Sequence, residues 1–264
     1  MLNREDITLI VIISIKLSNS HLLMWILGRK KVSLKESGIF EGFTDWHSHI
    51  LPGVDDGIKT MEDAIDVLEE YERLGFKRVW LTPHIMEDYP NKTEDLKRRF
   101  EELKDNWKGE VELFLASENM LDMLFEERLL KKDFLPIGDG GDHLLIETSY
   151  YTPPYAMDEM LESALKKGFN LVLAHPERYR YMEEKDYRKF KEQGVKFQLN
   201  LLSLVGAYGE SAKKRAEWLL AKKMVDLFGT DIHRLEAINE NIRTPLPKPI
   251  QPEAVKSVVN QLIN

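Results

Sequence analysis

The stretch FTDWHSHILPGVDDGIKTMEDAIDVLEEYERLG (Phe43–Gly75) joins a short apolar run, a loop and an amphipathic segment. The run Phe43–His49 predicts a β-strand. In Met61–Leu74 the apolar residues recur every three or four positions, which is helical spacing, and Gly75 is typical of a helix C-cap. A second apolar run, Lys77–Thr82, follows at once. The stretch therefore predicts a strand–helix–strand unit, the repeating element of parallel α/β folds.

The same unit repeats to the end of the chain. Further strands are predicted at Val111–Ala116, His143–Ile146, Leu171–Ala174, Lys196–Leu199 and Val225–Gly229. Further helices are predicted at Thr93–Trp107, Leu121–Lys131, Met157–Lys167, Lys185–Gln193, Ser211–Lys223 and Pro252–Ile263. Seven strands that alternate with helices, without a linker, predict a single α/β domain with a parallel sheet. Their number and spacing favour closure into a (β/α)7 barrel, whose chemistry lies at the carboxyl ends of the strands.

The composition excludes several classes of protein. The 264 residues include 37 basic and 45 acidic side chains, a formal net charge of −8. This acidic balance argues against nucleic acid as a partner, because phosphate contacts need lysine and arginine. The chain has no cysteine, which excludes disulfide frameworks, zinc ribbons, iron–sulfur sites and phosphatases that work through a cysteinyl phosphate. An anionic substrate therefore requires positive charge supplied within the site itself.

Residues 1–42 are predicted to be a leader that precedes the main domain, residues 43–264. Residues 1–35 carry a net charge of +4, against −12 for the rest. The apolar runs Thr8–Ile15 and Leu22–Leu27 are shorter than the roughly 20 residues of a membrane span. We expect translation to start at Met24, so that residues 1–23 are not translated; a surface-binding arm and a cleaved signal peptide are the alternatives. The expected location is the cytoplasm, with at most peripheral membrane contact.

Histidines cluster at the predicted strand ends. Five of the seven lie there, together with three carboxylates: His47, His49, His84, His175, His233, Glu118, Glu147 and Asp231. Side chains at positions i and i+2 of a strand point the same way, so His47-x-His49 and Asp231-x-His233 each offer two ligands. The first and last strands of a closed barrel are neighbours, and the two pairs are therefore expected to meet. Nitrogen and oxygen ligands in this arrangement predict a site for divalent cations.

Four other polar residues have less specific positions. His21 and His143 are interpreted as ordinary core or turn histidines. Asp55 and Asp56 leave two interpretations open, because they either belong to the site or only form the turn before the next helix. Spacing alone does not decide between these two possibilities for either aspartate.

Three motifs resemble a known family. The motifs are DWHSHILPGVDDG (Asp45–Gly57), TPH (Thr82–His84) and AHPERY (Ala174–Tyr179). Together they resemble the PHP-domain bacterial protein-tyrosine phosphatases of the CpsB/CapC group, which are YwqE-like and linked to polysaccharide export. The resemblance runs from about Phe43 to about Leu235. It implies a PHP-type distorted (β/α)7 barrel and metal-dependent chemistry.

The resemblance also implies a set of metal ligands. Up to three divalent ions are expected, commonly Mn²⁺, and the mixed ligands also admit Fe, Zn or Co. The first implied site consists of His47, His49, Glu118 and Asp231. The second consists of Glu118, Glu147 and His175, so that Glu118 bridges the two sites. The third consists of Asp56, His84 and His233.

Further roles follow from the same resemblance. Arg178 of the HPER motif matches an arginine that binds the phosphoryl group and stabilises the transition state, and Asp231 and His233 are implied as catalytic residues. Arg234 stands where the family often has Asn, and we expect it to be a second substrate-binding arginine. Asp45 matches an acidic position, which leaves two interpretations: it either orients a ligand histidine or is a buried strand residue paired elsewhere.

Tyrosines near the strand ends suggest how an aromatic substrate is selected. Tyr89, Tyr150, Tyr151 and Tyr155 are candidates for the wall of a slot that takes an aromatic ring. The run TSYYTPPY (Thr148–Tyr155) is therefore a candidate recognition loop. The alternative is that this run is only a proline-rich loop with half-buried rings.

The function implied is that of a metal-dependent protein-tyrosine phosphatase, which uses a metal-activated water or hydroxide and forms no phosphoenzyme. Its implied partner is a bacterial tyrosine kinase of capsule or exopolysaccharide biosynthesis; the sequence does not indicate an oligomeric state. One alternative is a PHP phosphoesterase for a small phosphomonoester, similar to histidinol phosphatase. Another is a non-catalytic regulator of the kinase. An amidohydrolase is disfavoured, because many of those enzymes need a bridging lysine where Glu118 and Glu147 stand.

Overall fold

Parallel strands and the helices between them make up most of the chain in the computed structural model, which describes residues 32–247, 250 and 252–259. In this part of the chain the strands are Thr44–Ser48 (β1), Arg78–Leu81 (β2), His84–Ile85 (β3), Glu112–Leu115 (β4), Glu118–Met120 (β5), His143–Glu147 (β6), Asn170–Ala174 (β7), Lys196–Asn200 (β8) and Leu227–Gly229 (β9). The α-helices are Met61–Leu74 (α1), Thr93–Asn106 (α2), Met123–Lys131 (α3), Met157–Lys166 (α4), Glu184–Glu192 (α5), Glu210–Ala221 (α6), Leu235–Asn241 (α7) and Pro252–Val259 (α8). The predicted α/β class is confirmed.

All ladders between these strands are parallel and fall into two sheets. One has the order β1-β2-β4 and the other the order β3-β5-β6-β7-β8-β9. The described residues form nine strands where seven were predicted, because the short strands β3 and β5 follow the second and third predicted runs after a break. Pro83 separates β2 from β3 and has no backbone N–H for a ladder. Between β4 and β5, the Ser117 backbone N–H donates instead to the Leu135 carbonyl (3.0 Å).

The first and last strands lie side by side, as expected from the sequence. The His49 backbone N–H donates to the Ile232 carbonyl at 3.0 Å, and the Asp231 N–H donates to the His47 carbonyl at 2.8 Å. These bonds join the end of β1 to the segment after β9. The two predicted ligand pairs are therefore brought together by the backbone itself.

Asp45 lies buried beneath this junction. Its carboxylate accepts hydrogen bonds from the Thr230 backbone N–H and hydroxyl (2.8 and 2.7 Å) and from the Tyr71 hydroxyl (2.8 Å). It also accepts one from the His47 backbone N–H (3.2 Å). None of these hydrogen bonds goes to an imidazole ring, which favours the second interpretation, a buried strand residue paired elsewhere. Asp45 instead fixes the backbone of β1 against that of β9.

Two apolar clusters pack on the strands. The larger lies between the strands and the helices, and α1 shows how it is built: Thr60 caps its N-terminus by accepting from the Asp63 N–H, and Gly75 ends it at φ +95°. The smaller cluster joins side chains of five strands, namely Trp46, Trp80, Leu145, Val172 and Leu227. Because they meet in one cluster, β1, β2, β6, β7 and β9 turn one face toward a common interior.

The core also includes residues before Phe43. Leu34, Ile39 and Phe40 are buried in the larger cluster. The predicted boundary between residues 42 and 43 stays a prediction, and residues 1–23, with their expected start at Met24, lie outside the described residues. No helix of residues 32–247 and 252–259 is long and apolar enough to cross a membrane.

Candidate metal centre

Eight of the nine predicted ligands lie in groups whose nitrogen and oxygen atoms are within 4.8 Å of one another. The groups are His47, His49, Glu118 and Asp231; His84, Glu118 and Glu147; and His49, Asp56, His84 and His233. The ninth, His175, contacts the second group. All nine side chains therefore converge on one site at the carboxyl ends of the strands.

The first group is fully buried and matches the first predicted ligand set. The Nε2 atoms of His47 and His49 lie 3.1 and 3.2 Å from Glu118 Oε2. Asp231 Oδ1 lies 3.6 and 3.4 Å from the same two nitrogens. Two imidazoles and two carboxylates thus face one point, which is a complete set of ligands for a divalent ion.

The second group differs in part from the prediction. His84 Nδ1 lies 3.1 Å from Glu118 Oε2 and 3.0 Å from Glu147 Oε1. His175 Nε2 lies 2.9 Å from Glu118 Oε1 and 3.8 Å from Glu147 Oε2. His84, predicted only for the third set, therefore contacts the second as well. Glu118 belongs to both groups, and the family resemblance implies a bridging carboxylate at this residue.

The third group is the most exposed. Asp56 Oδ1 lies 3.4 Å from both His84 Nε2 and His233 Nε2. The Asp56 side chain is 51% exposed and that of His233 is 30% exposed. His49 also belongs to this group, its ring centroid lying 4.1 Å from that of His233. Asp56 is thus part of the site rather than a simple turn residue, and this group faces the solvent.

Two polar residues that the sequence analysis did not assign orient the first ligand pair. Gln198 Oε1 lies 2.8 Å from His47 Nδ1. Asp55 Oδ2 lies 2.8 Å from His49 Nδ1 and also accepts from the His84 backbone N–H at 3.0 Å. Such bonds fix the ring orientation and direct Nε2 toward the centre. Asp55 therefore has a structural role within the site.

The charges in the first group favour a cation at its centre. Burial lowers the pKa of His47, but the carboxylates of Glu118 and Asp231 outweigh burial and raise this pKa to about 9. Burial likewise raises the pKa of Glu118 and Asp231, yet the neighbouring histidines outweigh it and lower both well below their usual range. The two carboxylates are thus held ionised and attract positive charge.

The donor atoms pass a direct test of fit to metal ions. In the described chain His84 Nδ1 lies 3.1 Å from Glu118 Oε2 and 3.0 Å from Glu147 Oε1, yet these three buried atoms make no hydrogen bond of acceptable geometry. Buried polar atoms without a partner are costly. Coordination to a cation satisfies all three atoms, and mixed imidazole and carboxylate ligands suit borderline divalent ions. The residues present therefore fit a metal centre.

Two of these ligands adopt strained backbone conformations. His175 has φ +33° and Asp231 has φ +53°, in the left-handed region that favours glycine. Such conformations cost of order 1–3 kcal/mol each and concentrate at functional sites. The strain is maintained by surrounding contacts, since the Asp231 N–H is held by the His47 carbonyl.

A cavity of about 550 Å³ opens beside the centre. Its lining includes Asp56, His84, His175, Asp231, His233, Tyr150, Arg178, Tyr208 and Arg234. Arg178 Nη1 donates to Asp231 Oδ2 at 2.7 Å. Arg234 lies at the rim, 68% exposed, with Nη2 3.9 Å from Glu240 Oε2. The two predicted substrate-binding arginines therefore reach the same cavity, one inside and one at its edge.

The candidate recognition tyrosines divide into two groups. Tyr150 lines the cavity, and Tyr89 lies next to the centre, its ring centroid 6.0 Å from that of His84. Tyr151 and Tyr155 are exposed and are not among the residues that line this cavity. Only the first part of Thr148–Tyr155 therefore faces the site.

His143 lies outside the candidate metal centre, and its Nδ1 lies 2.8 Å from Asp142 Oδ1. His21 is outside the described residues.

Sequence comparison identifies the family. The family model described as "Capsular polysaccharide synthesis, CpsB/CapC" matches residues 43–251, most of the chain. The chain belongs to the CpsB/CapC family. The family resemblance seen in the three sequence motifs is thereby confirmed.

Other members of the CpsB/CapC family have been named for their activity. Tyrosine-protein phosphatase CpsB of Streptococcus agalactiae is 30% identical over 211 residues, covering 73% of this chain and 83% of that protein. Tyrosine-protein phosphatase YwqE of Bacillus subtilis is 26% identical over 201 residues, covering 74% and 79%. A crystal structure from work on YwqE of Bacillus subtilis and CpsB of Streptococcus pneumoniae, described as metal-dependent tyrosine phosphatases, has a TM-score of 0.69 at 25% identity. It covers 76% of this chain and 83% of that one.

Two glycines of this CpsB/CapC-family protein lie against the first ligand pair. A Cβ on Gly229 would lie 2.5 Å from the His47 Cβ and 2.8 Å from its backbone N. A Cβ on Gly57 would lie 2.4 Å from the His49 Cβ and 2.3 Å from its carbonyl oxygen. Each distance is shorter than non-bonded atoms allow. Glycine at both positions therefore permits the close approach that places His47 and His49.

Gly229→Ala is expected to displace His47 and to weaken binding of divalent ions by about 10–100-fold, the usual effect of disturbing the support of a metal ligand. Calorimetric titration with Mn²⁺ measures this affinity. Gly168→Ala is the control, because Gly168 (φ +89°) has no atom within 4 Å of an added Cβ and lies away from the centre. That control is expected to lose some stability but no metal affinity. An unchanged affinity in Gly229→Ala would show that His47 does not depend on this contact.

Proposed function

We propose that this chain is a metal-dependent protein-tyrosine phosphatase that hydrolyses phosphotyrosine in a protein. The observation that carries the proposal is a buried histidine–carboxylate centre that opens, beside Arg178, into the 550 Å³ cavity. The names of the relatives and the match to the CpsB/CapC family support it. We further propose that residues 43–264 form a PHP-type distorted (β/α)7 barrel and that the protein acts in the cytoplasm.

The three groups of ligands are proposed to hold up to three divalent ions, with Mn²⁺ as the first candidate and Fe, Zn or Co as the others. The first ion would be held by His47, His49, Glu118 and Asp231, the second by Glu118, Glu147 and His175, and the third by Asp56, His84 and His233. Ions held there would supply Lewis acidity, which activates a water nucleophile and neutralises charge on the phosphoryl oxygens. The contacts of His84 with Glu118 and Glu147 support its proximity to the second position as well.

Arg178 is proposed to bind the phosphoryl group. Its guanidinium keeps one Nη donor on Asp231 and presents its other N–H donors for charge-assisted bonds to phosphoryl oxygens. Burial lowers the pKa of Arg178, but Asp231 outweighs burial and holds this pKa above its ordinary value, so the cation is permanent. Arg234 at the rim is proposed as the second arginine that attracts the substrate.

Asp231 is proposed to connect the metal centre with the phosphoryl site. Its Oδ1 faces the two imidazoles of the first group, while its Oδ2 accepts from Arg178 and from Asn200 Nδ2 (2.8 Å). His233 lines the cavity next to it, with its Nδ1 2.9 Å from the Asp231 carbonyl. These positions support the proposal that both residues contact the reacting group.

The physiological partner is proposed to be a tyrosine kinase of capsule or exopolysaccharide biosynthesis, in keeping with the description of the family. The acidic chain, with a net charge of −8, supports a protein rather than a nucleic acid as partner. The four carboxylates of the proposed ligand sets carry −4, so phosphate would be repelled unless divalent ions outweigh them. Binding of substrate is therefore expected to require a loaded centre.

The test compares three phosphoesters. Metal-stripped protein, with and without added Mn²⁺, is incubated with a phosphotyrosyl peptide, the matching phosphoseryl peptide and histidinol phosphate. Mn²⁺-dependent release of phosphate, fastest from the phosphotyrosyl peptide, is expected. Turnover of histidinol phosphate alone would assign the centre to a small-molecule phosphoesterase. No turnover with Mn²⁺, Fe²⁺, Zn²⁺ or Co²⁺ would support a non-catalytic regulator.

A further inference from the structure

Two aromatic rings contact the guanidinium of Arg178 inside the cavity. The Arg178 Cζ lies 4.3 Å from the ring centroid of Tyr150 and 4.4 Å from that of Tyr208. Tyr150 follows β6, whereas Tyr208 follows the short 3-10 helix Leu201–Val205. The rings therefore come from two separate segments and meet at one cation.

The geometry points to Tyr150 and Tyr208 as positioning residues that hold Arg178 in place for the phosphoryl group. This inference rests on the proposed function, because it concerns the arginine assigned to that group. A guanidinium over the face of an aromatic ring is attracted by the negative charge of that face. Two such contacts confine the long Arg178 side chain before the substrate binds. Without them the side chain would lose its rotamer freedom on binding, and this entropy loss would weaken the affinity.

The ion pair with Asp231 would by itself hold Arg178 less firmly than the ion pair and the two rings together. Its other carboxylate oxygen faces the first ligand group, so a cation there draws on the same negative charge that attracts the arginine. Divalent ions in the centre also repel the guanidinium directly. The attraction of the guanidinium to the two tyrosine faces does not draw on the carboxylate charge of Asp231, although the Tyr150 ring also lies beside His175, with the two ring centroids 5.7 Å apart. The two rings therefore maintain the position of Arg178 under the conditions in which phosphate binds.

Both rings are attached to the backbone around the site. The Tyr208 hydroxyl lies 3.4 and 3.5 Å from the carbonyl oxygens of Thr230 and Asp231, the residues that follow β9. The Tyr150 carbonyl accepts from the Arg180 backbone N–H at 2.8 Å, two residues beyond Arg178. The Tyr208 ring is thus held to the segment that carries Asp231, and the Tyr150 backbone is held to the segment that carries Arg178.

The variants Tyr150→Leu and Tyr208→Leu test this inference in the full-length, Mn²⁺-loaded protein. Calorimetry with inorganic phosphate measures the dissociation constant, and hydrolysis of a phosphotyrosyl peptide gives kcat and KM separately. We expect each leucine to weaken phosphate binding about tenfold and to raise KM by a similar factor, the size of one buried cation–π contact. Tyr150→Phe keeps the ring and is expected to stay within about twofold of wild type, whereas Tyr208→Phe keeps the ring but loses the hydroxyl contacts and is expected to lose less affinity than Tyr208→Leu.

Tyr151→Leu is the matched control. Tyr151 is the next residue after Tyr150 but is exposed, and its ring contacts Arg180 (4.8 Å) rather than Arg178. No change in phosphate affinity or KM is expected. Tyr→Met at positions 150 and 208 serves as a second pair of variants where leucine prevents folding, because methionine fills an irregular space without an aromatic face.

Three outcomes would overturn the inference. They are wild-type phosphate affinity in both leucine or methionine variants, equal losses in the phenylalanine and leucine variants, and a loss that is accompanied by reduced bound Mn²⁺. Inorganic phosphate binds whether or not a given ester is hydrolysed. A protein that binds phosphate through these tyrosines but hydrolyses no phosphotyrosyl peptide would therefore reject the proposed function and keep the positioning role.

Discussion

Stripping divalent ions with a chelator is expected to abolish hydrolysis of phosphotyrosyl peptides and to lower the melting temperature by about 6–12 °C. The buried carboxylates of Glu118, Glu147 and Asp231 lose the cations that neutralise them. An ion present at a hundredfold excess over its dissociation constant adds about 3 kcal/mol to the stability of the folded state, and 1 kcal/mol corresponds to about 2–4 °C for a chain of this size. Calorimetric melting and a phosphate-release assay measure the two effects.

Restoration by Mn²⁺ distinguishes metal loss from damage. Chelator that has been saturated with Mn²⁺ beforehand is the control and is expected to leave both activity and melting temperature unchanged. Glu118→Gln provides an independent check, because it alters the carboxylate that contacts both buried groups; it should bind less Mn²⁺ and respond little to chelator. Full activity in protein shown by elemental analysis to hold no metal would refute a metal-dependent mechanism.

Arg178→Ala is expected to lower kcat/KM for a phosphotyrosyl peptide by about 10²–10³, the usual cost of one donor aimed at developing charge. Arg178 places a permanent cation next to Asp231, where the phosphoryl group is proposed to bind. Arg178→Lys should recover only part of the loss, since an ammonium lacks the planar fork of donors. Steady-state kinetics at saturating Mn²⁺ gives the comparison.

Arg180→Ala is the control for this change. Arg180 lies two residues further along, is exposed and contacts Tyr151, which is outside the cavity lining. Its loss is expected to change kcat/KM by less than about twofold, as for most exposed residues away from a site. Equal activities of Arg178→Ala and wild type would remove Arg178 from the proposed mechanism.

Much of the fold was predictable because local periodicity determines its elements. The helix Met61–Leu74 has the predicted bounds, since Thr60 and Gly75 are strong cap residues visible in the sequence. The break at Pro83 also has a local signal. The break at Ser117 depends on a bond to Leu135, and no pattern within the strand indicates such a distant partner. The short helix Leu235–Asn241 was missed, because seven residues show little periodicity.

The convergence of the candidate ligands was predictable for a different reason. Residues at the carboxyl ends of parallel strands meet at one edge of the sheet. The residues at the predicted strand ends are therefore most of the candidate metal-binding residues. The supporting residues were not predictable in this way. Gln198 reaches His47 from β8, which requires the register of β8, and His84 touches two groups because of the path of the two-residue strand β3.

Tyr208 shows the limit of reasoning from strand ends. It belongs to no strand or helix and follows a 3-10 helix that no sequence pattern indicated. Its place against Arg178 results from packing between segments far apart in the chain. Glu177 is similar: it is buried, and its Oε1 accepts from the Asn200 N–H and the Ser203 hydroxyl, so it fixes the turn that carries Arg178 through contacts made only in the folded protein.

The positive φ angles of His175 and Asp231 create a trade-off between stability and activity at these two positions. Glycine adopts this conformation without strain, so His175→Gly and Asp231→Gly would relax the backbone. Both changes would also delete a side chain that the site requires. Engineering of this enzyme for stability alone would therefore favour harmful substitutions at these positions, and thermostable variants are better sought in the helices on the outer surface.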